Sequence, residues 1–322
     1  MKRSFAALLF AALAPFALAP ASAQSFPDHP LRLIVPYPPG ASTDILGRAV
    51  AEKMTQSLGQ PVIVENKGGA SGNIGSQLVA AAKPDGYTFM VGTDATHAAN
   101  YHLTASPPFH PLNDFKALTL AVANPIVLIT HPSVPVKNVQ ELIAYVKSHP
   151  DKGAFGSSGI GSPHHLAGEL LKQMSGAPLV HVAYRGGGPA MTDVLGGQIP
   201  MVFASVVTAL PHIREGKVHA IAVTMAKRYD GLPDVPAIAE TIPGFEMNSW
   251  LAFFAPAGLS PELTRKLNGE IVRALKDPAV HEKMDKGGLV VVANSPEAFA
   301  EQQRRDFEQR GKLIRDAGIK AE

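Results

Sequence analysis

The sequence predicts an α/β protein built as two doubly wound lobes. Short apolar runs recur along the chain, each followed by a Gly-, Pro- or Ser-rich stretch and then by a segment of helical periodicity. That alternation is the signature of β-α-β units packed in layers. The chain has 322 residues, and single hydrophobic cores stop growing near ~250–300 residues, so two lobes are expected.

The elements follow in order. Leu31 to Tyr37 reads as a strand, and Ser42 or Thr43 is positioned to cap a helix over Asp44 to Leu58, with Gly59 just past its end. Val62 to Glu65 is a second strand, and Gly68 to Gly75 is a loop entering a helix that reaches Ala82. Pro84-Asp85-Gly86 is a turn before a strand over Tyr87 to Gly92. Leu118 to Ala123 and Ile126 to Thr130 are strand-like, and Val139 to Lys147 is an amphipathic helix. Ala154 to Gly156 leads through a Gly/Ser loop to a helix over Pro163 to Ser175. Val180 to Tyr184 is a strand, Pro189 opens the next helix, and Met201 to Ala204 and Ala220 to Val223 are strands. Trp250 to Ala255 is a late strand, before helices at Pro261 to Lys276 and Pro296 to Ala317. Units of this kind predict a mostly parallel sheet in each lobe.

Four loops share one design: Pro38 to Asp44, Gly68 to Gly75, Gly156 to Pro163 and Arg185 to Pro189. Each follows a strand and opens a helix. In open α/β sheets such loops gather at the carboxyl ends of the strands, where ligands bind. The first helical turn has free N–H groups and a partial positive charge, so several such turns together form an anion site without needing many Arg or Lys. Four or five hydrogen bonds to a charged group, at roughly 1.5–3 kcal/mol each before ordering costs, support binding of about −8 kcal/mol. Arg185, directly before three glycines, could fork onto a carboxylate. Asp44 could orient Thr43 or a water, take an amine of the ligand, or simply complement the helix terminus. Ser157, Ser158 and Ser162 are candidate hydroxyl donors, and Ser162 is also a natural cap with Pro163 at the first helical position.

The amino terminus has Met1-Lys2-Arg3, an apolar run to about Leu18, and Ala21-Ser22-Ala23. That pattern predicts a signal peptide over 1–23, cleaved near Ala23/Gln24, and export to the periplasm. Lys2 and Arg3 account for the whole excess of 29 basic over 27 acidic residues. The mature chain is therefore formally neutral, which argues against nucleic acid as a partner. There is no cysteine, hence no disulfide and no thiol nucleophile. No phosphate loop, dinucleotide fingerprint or G-x-S-x-G elbow occurs, and adjacent His164 and His165 lack metal-site spacing. A secreted α/β hydrolase is the less favoured alternative, because the scattered Ser, His and Asp form no recognised catalytic arrangement, and no cofactor or metal is expected.

At these same loops the chain resembles the Bug-type substrate-binding proteins of tripartite tricarboxylate transporters. The matching pieces are VPYPPGASTD (35–44), VENKGGASGNIG (64–75), KPDGYT (83–88), HVAYRGGGPA (181–190), LGGQ (195–198), LPDVPAIAE (232–240) and SWLAFFAPAG (249–258), with Leu267-Asn268 in the following helix. The resemblance implies a periplasmic-binding-protein fold of type II. Its first lobe would be 26–125 plus 250–322, its second 126–249, with crossing strands between and a ligand cleft between the lobes. It implies a small carboxylate, an amino acid included, held largely by backbone amides and waters. Carried over by motif, the contacts are Tyr37, Gly40, Ala41, Ser42, Thr43, Asp44, Ala70, Ser71, Thr93, Ser157, Ser158, Gly159, Ser162, Tyr184, Arg185 and Gly186. A distal wall is expected from Phe203, Ser205 and Trp250. The implied partner is a membrane permease, or a sensor kinase in a signalling variant, and the chain is expected to act as a monomer. One departure stands out. The family reads P-G-G-x-x-D, and here the second Gly is Ala41. A β-carbon disfavours positive φ, so either this loop does not need that geometry or its fine shape differs.

Overall fold

Two sheets form because the apolar runs split into two sets that cannot share one core. The computed structural model describes residues 26–184 and 186–320. The predicted signal peptide and Arg185 lie outside the described residues.

The first part of the chain gives β1 (Leu31–Val35), α1 (Ser42–Leu58), β2 (Val62–Asn66), α2 (Asn73–Ala80), β3 (Thr88–Thr93), α3 (Asn100–Leu103) and β4 (Phe115–Asn124). A π-helical turn, Ala95–Ala99, joins β3 to α3. The middle gives β5 (Ile126–Thr130), α4 (Val139–Ser148), β6 (Ala154–Ser157), α5 (Pro163–Ser175), β7 (Val180–Ala183), α6 (Gly187–Leu195), β8 (Met201–Ser205), α7 (Val206–Arg214) and β9 (His219–Val223). The last part gives β10 (Ser249–Pro256), α8 (Pro261–Leu275), α9 (Pro278–Lys286), β11 (Val290–Val291) and α10 (Pro296–Asp316).

The first sheet has the order β11-β4-β10-β3-β1-β2, and the second β7-β6-β8-β5-β9. Only β1 with β2 and β3, and β6 with β7 and β8, pair in parallel. The remaining ladders are antiparallel. The expectation of mostly parallel sheets is thus corrected. Its physical cause is the double crossing of the chain: β5 enters the second sheet against the direction of β8, and β10 returns to the first sheet against β3 and β4.

This arrangement fixes where the loops go. β4 runs in the same direction as β3, because β10 lies antiparallel between them. The carboxyl end of β4 at Asn124 is therefore at the same edge as the carboxyl ends of β1 and β3. Only Pro125 separates β4 from β5, and Ile126 pairs with Ser205, the last residue of β8. The carboxyl edges of both sheets therefore meet at one crossing.

Each sheet has its own core. Leu33, Val35, Leu46, Val50, Phe89 and Phe253 pack between the first sheet, α1 and α8. Leu128, Leu142, Phe155, Leu166, Leu171 and Phe203 fill one face of the second. Fully burying each such side chain contributes roughly 1.5–3 kcal/mol. α10 serves both cores. Phe299 packs edge-on against Trp250 at 5.4 Å. Leu313 and Ile314 join the second sheet's cluster. Between them Arg310 is buried, paired with Asp94 at 3.3 Å and donating to the carbonyl of Asn248.

Several local expectations are met. Gly59 closes α1 at φ 67°, with its N–H on Thr55 O. Ser162 caps α5 by accepting from His165 N–H, with Pro163 at the first position. The cap of α1 differs from expectation. Neither Ser42 nor Thr43 caps it, and the N-cap is Ala41. Asp44 instead fixes the loop ahead of the helix, its Oδ2 accepting the Gly40 N–H at 2.9 Å. Helices α7 and α9 have no counterpart in the sequence reading.

Candidate functional site

At the first sheet's edge, β1 delivers Tyr37 and the Gly40–Asp44 loop. The Tyr37 hydroxyl lies 3.2 Å from Thr93 Oγ1 at the end of β3 and donates to Ser71 O at 3.4 Å. Thr93 is itself buried and bonded to Thr96. Three loops are thereby tied together. Burial pushes the Tyr37 hydroxyl above its ordinary pKa, so it stays protonated.

Asp44 is buried and engaged by Gly40 N–H, by Arg48 Nε at 3.1 Å and by Asn66 Nδ2 at 2.9 Å. Burial alone would raise its pKa. The donors from Arg48, Gly40 and Asn66 outweigh that and hold it below the usual carboxylate range. Its role is to fix the loop. Thr43 is different: its side chain is buried and its Oγ1 has no hydrogen-bond partner. Ala41 has φ −67°, and the positive φ falls on Gly40 at 85°. The loop therefore tolerates the alanine. Ala70 and Ser71 are exposed, with φ 46° and 54°. Two consecutive side chains in left-handed conformation store roughly 1–2 kcal/mol each. Such strain persists where the surroundings impose it, which is common at ligand sites.

At the second sheet's edge, β6 delivers Ser157 to Gly159, β7 delivers Tyr184 and Gly186, and β8 delivers Ser205. Backbone bonds from Tyr184 N to Ser157 O (3.3 Å) and Gly186 N to Ser158 O (3.2 Å) zip the first two loops together. Ser157 is fully buried, and its Oγ sits 2.6 Å from His181 Nε2 and also bonds Gly159. Ser162 Oγ donates to Gly159 O at 2.7 Å while capping α5. Tyr184 donates its hydroxyl to Asp193 at 2.7 Å, and burial together with that carboxylate pushes its pKa up to about 12. Ser158 and Ser205 are partly exposed and bracket His164, at 2.7 and 3.3 Å.

Behind this edge, His165 and His181 stack at 3.7 Å, and His165 Nδ1 accepts the Gly161 N–H at 3.0 Å. Burial lowers His165 to about 3 and His181 to about 4, so both rings are neutral near pH 7. The Ser157–His181 pair resembles part of a hydrolytic dyad, but Ser157 is sealed from solvent and cannot meet a substrate.

The two edges are adjacent through α3. Asn100 Nδ2 donates to Ser71 O at 3.1 Å. Leu103, at the other end of α3, lies over Gly161, where a β-carbon would fall 2.3 Å from Leu103 Cδ1. The distal wall is corrected in part. Trp250 and Phe203 are core residues with 0% and 1% exposure. Trp250 packs on Phe299 and donates Nε1 to Asp306 at 2.7 Å, and Phe203 packs on Phe155. Ser205 alone of the three reaches the edge. Among the described residues no cluster of His, Asp and Glu is arranged to hold a metal.

Two α/β sheets whose helix-opening loops meet where the chain crosses between them are the architecture of a solute-binding protein. Residues 46–319 match the family described as tripartite tricarboxylate transporter family receptor, and the chain belongs to that family. It is 35% identical over 304 residues to the protein BugT of Bordetella pertussis, covering 94% of this chain and 93% of BugT. The structure of R. palustris Rpa4515 with adipate matches with TM-score 0.76 at 31% identity, over 92% of this chain and 99% of that one. MatC (Rpa3494) from Rhodopseudomonas palustris with bound malate matches with TM-score 0.72 at 31% identity, over 90% of this chain and all of that one.

Proposed function

We propose that this chain is exported to the periplasm and captures a small carboxylate between its two sheet edges for delivery to a tripartite tricarboxylate-type permease. The observation that carries the reading is topological. One set of helix-opening loops from each sheet flanks the crossing at Asn124-Pro125-Ile126. An anion placed there meets the first turns of α1 and α5 together, with the partly exposed Ser158 hydroxyl as a side-chain donor. The adipate and malate bound by two relatives are of this chemical class. The lobes, 26–125 plus 250–322 and 126–249, would close on the ligand by hinge motion at the crossing.

Native mass spectrometry of protein purified from the periplasm, followed by a thermal-shift panel of mono-, di- and tricarboxylates, tests both parts. A mature chain beginning at Gln24 and a raised melting temperature with one class of acid are expected. A flat panel overturns capture of a carboxylate. A retained residue 1–23 segment overturns the predicted cleavage.

A further inference from the structure

The cluster around His164 contains more than a ligand-contacting serine. Asn124, the last residue of β4, donates through Nδ2 to Ser205 Oγ at 3.2 Å. Ser205 Oγ is 3.3 Å from His164 Nε2, and His164 Nδ1 is 2.7 Å from Ser158 Oγ. Ser205 is the N-cap residue of α7, yet its side chain makes no capping bond. Its hydroxyl serves this chain instead. The four residues come from the crossing, from β8, from α5 and from the loop after β6.

Proton counting gives the chain a direction. Ser205 accepts from Asn124, so it has its own proton to give, and His164 Nε2 is the acceptor beside it. An Nε2 that accepts leaves the imidazole proton on Nδ1, where it points at Ser158 Oγ. Ser158 then accepts from His164 and keeps its own O–H for a partner outside the chain. Burial holds the His164 pKa down to about 4, so near pH 7 the ring carries one N–H and the two nitrogens differ.

We infer that His164 is a positioning residue which, oriented by Ser205 and Asn124, commits the Ser158 hydroxyl to donate to the captured carboxylate. The inference rests on the carboxylate reading above and adds a residue that touches no ligand. It also links the anion loop to Asn124, where the chain crosses between sheets.

Two measurements test it. Long-range proton–nitrogen NMR of the ligand-free protein reads the tautomer directly, and protonated Nδ1 with bare Nε2 is expected. Protonated Nε2 overturns the inference whatever the variants do. The second measurement is calorimetric titration with malate and adipate. An asparagine amide sits about where His Nδ1 does, and a glutamine amide about where Nε2 does. His164→Asn should therefore hold affinity within a few-fold, while His164→Gln loses about tenfold or more, the factor that accompanies one hydrogen bond to a charged group. Equal affinities in both variants, or equal losses with unchanged melting temperature, overturn it. Should the wild-type chain bind neither these acids nor any other carboxylate, the carboxylate reading falls and the role of Ser158 falls with it. Binding by the wild-type chain with no difference between the variants removes this inference alone. Should a variant fail to fold, the wild-type tautomer still decides.

Discussion

The two edges that face each other are held by opposite chemistry. The first is pinned by a charge. The Asp44 carboxylate, 5% exposed, gathers Gly40, Arg48 and Asn66 around it. The second is pinned by neutral rings and hydroxyls, with His181 on Ser157, His165 on Gly161 and His164 between Ser158 and Ser205. A charged anchor strengthens as its proton leaves, and a neutral imidazole anchor fails as a proton arrives. Both anchors therefore fail by protonation, the imidazoles across weak acid and the carboxylate only in stronger acid.

The largest expected effect comes from removing the charged anchor. Asp44→Ala should cost about 2–4 kcal/mol, because three donors lose their acceptor at a buried position. Urea denaturation at pH 7 reads it. A loss below half a kcal/mol would show that the loop holds its shape without the carboxylate.

Acid should separate the two edges. His165 has a folded-state pKa of about 3, below the ordinary 6.5. The unfolded chain binds the proton first, so this stability is complete above about 6.5 and is lost as pH falls toward 3. At pH 5 the loss is about 1–2 kcal/mol for His165, and similar for His97, which burial also lowers to about 3. Asp44 fails in the same direction but later, because its lowered pKa keeps its contribution until stronger acid. Denaturation midpoints should therefore fall between pH 7 and pH 5, and fall less in His165→Asn, whose amide oxygen sits about where Nδ1 does and still accepts from Gly161. An unchanged pH slope in that variant would show that the ring already titrates normally.

The smallest effects lie inside the first loop. Gly40→Ala introduces a β-carbon at φ 85° into open space, so its cost of about 1 kcal/mol is backbone strain alone. Ala41→Gly, one residue on, should change stability by no more than about half a kcal/mol, since Ala41 is extended. Thermal melts of the two variants compare them directly, and a larger loss for Ala41→Gly would reverse the assignment of which residue makes the turn.

Much of this was legible in the sequence because its signals are local. The strand-loop-helix alternation, the Ser162-Pro163 cap and the Gly59 stop all sit within a few residues of the structure they specify. Strand direction is not local. Nothing in Ser249–Pro256 tells a reader that it runs antiparallel to both neighbours, so the sheets read as more parallel than they are. α7 was hidden by Pro211 in its interior and by a start of two β-branched valines. α9, by contrast, had an Asp277-Pro278 start that could have been used. At the site, the backbone turns were readable and the side-chain partners were not. Ser157 with His181 and His164 with Ser205 are separated by 24 and 41 residues. Trp250 invited a place in the pocket wall because a lone tryptophan is conspicuous, whereas its packing on Phe299 is visible only in three dimensions.

The position of β10 has a consequence for how the chain acquires its shape. All five strands of the second sheet lie between residues 126 and 223, so that sheet has every partner it needs from one unbroken stretch. The first sheet does not. β3 and β4 are joined only through β10, which arrives after the whole second sheet. A chain emerging from amino to carboxyl end therefore holds its first sheet as two separate pieces until residues 249–256 slot between them, and only the short β11 pairs later.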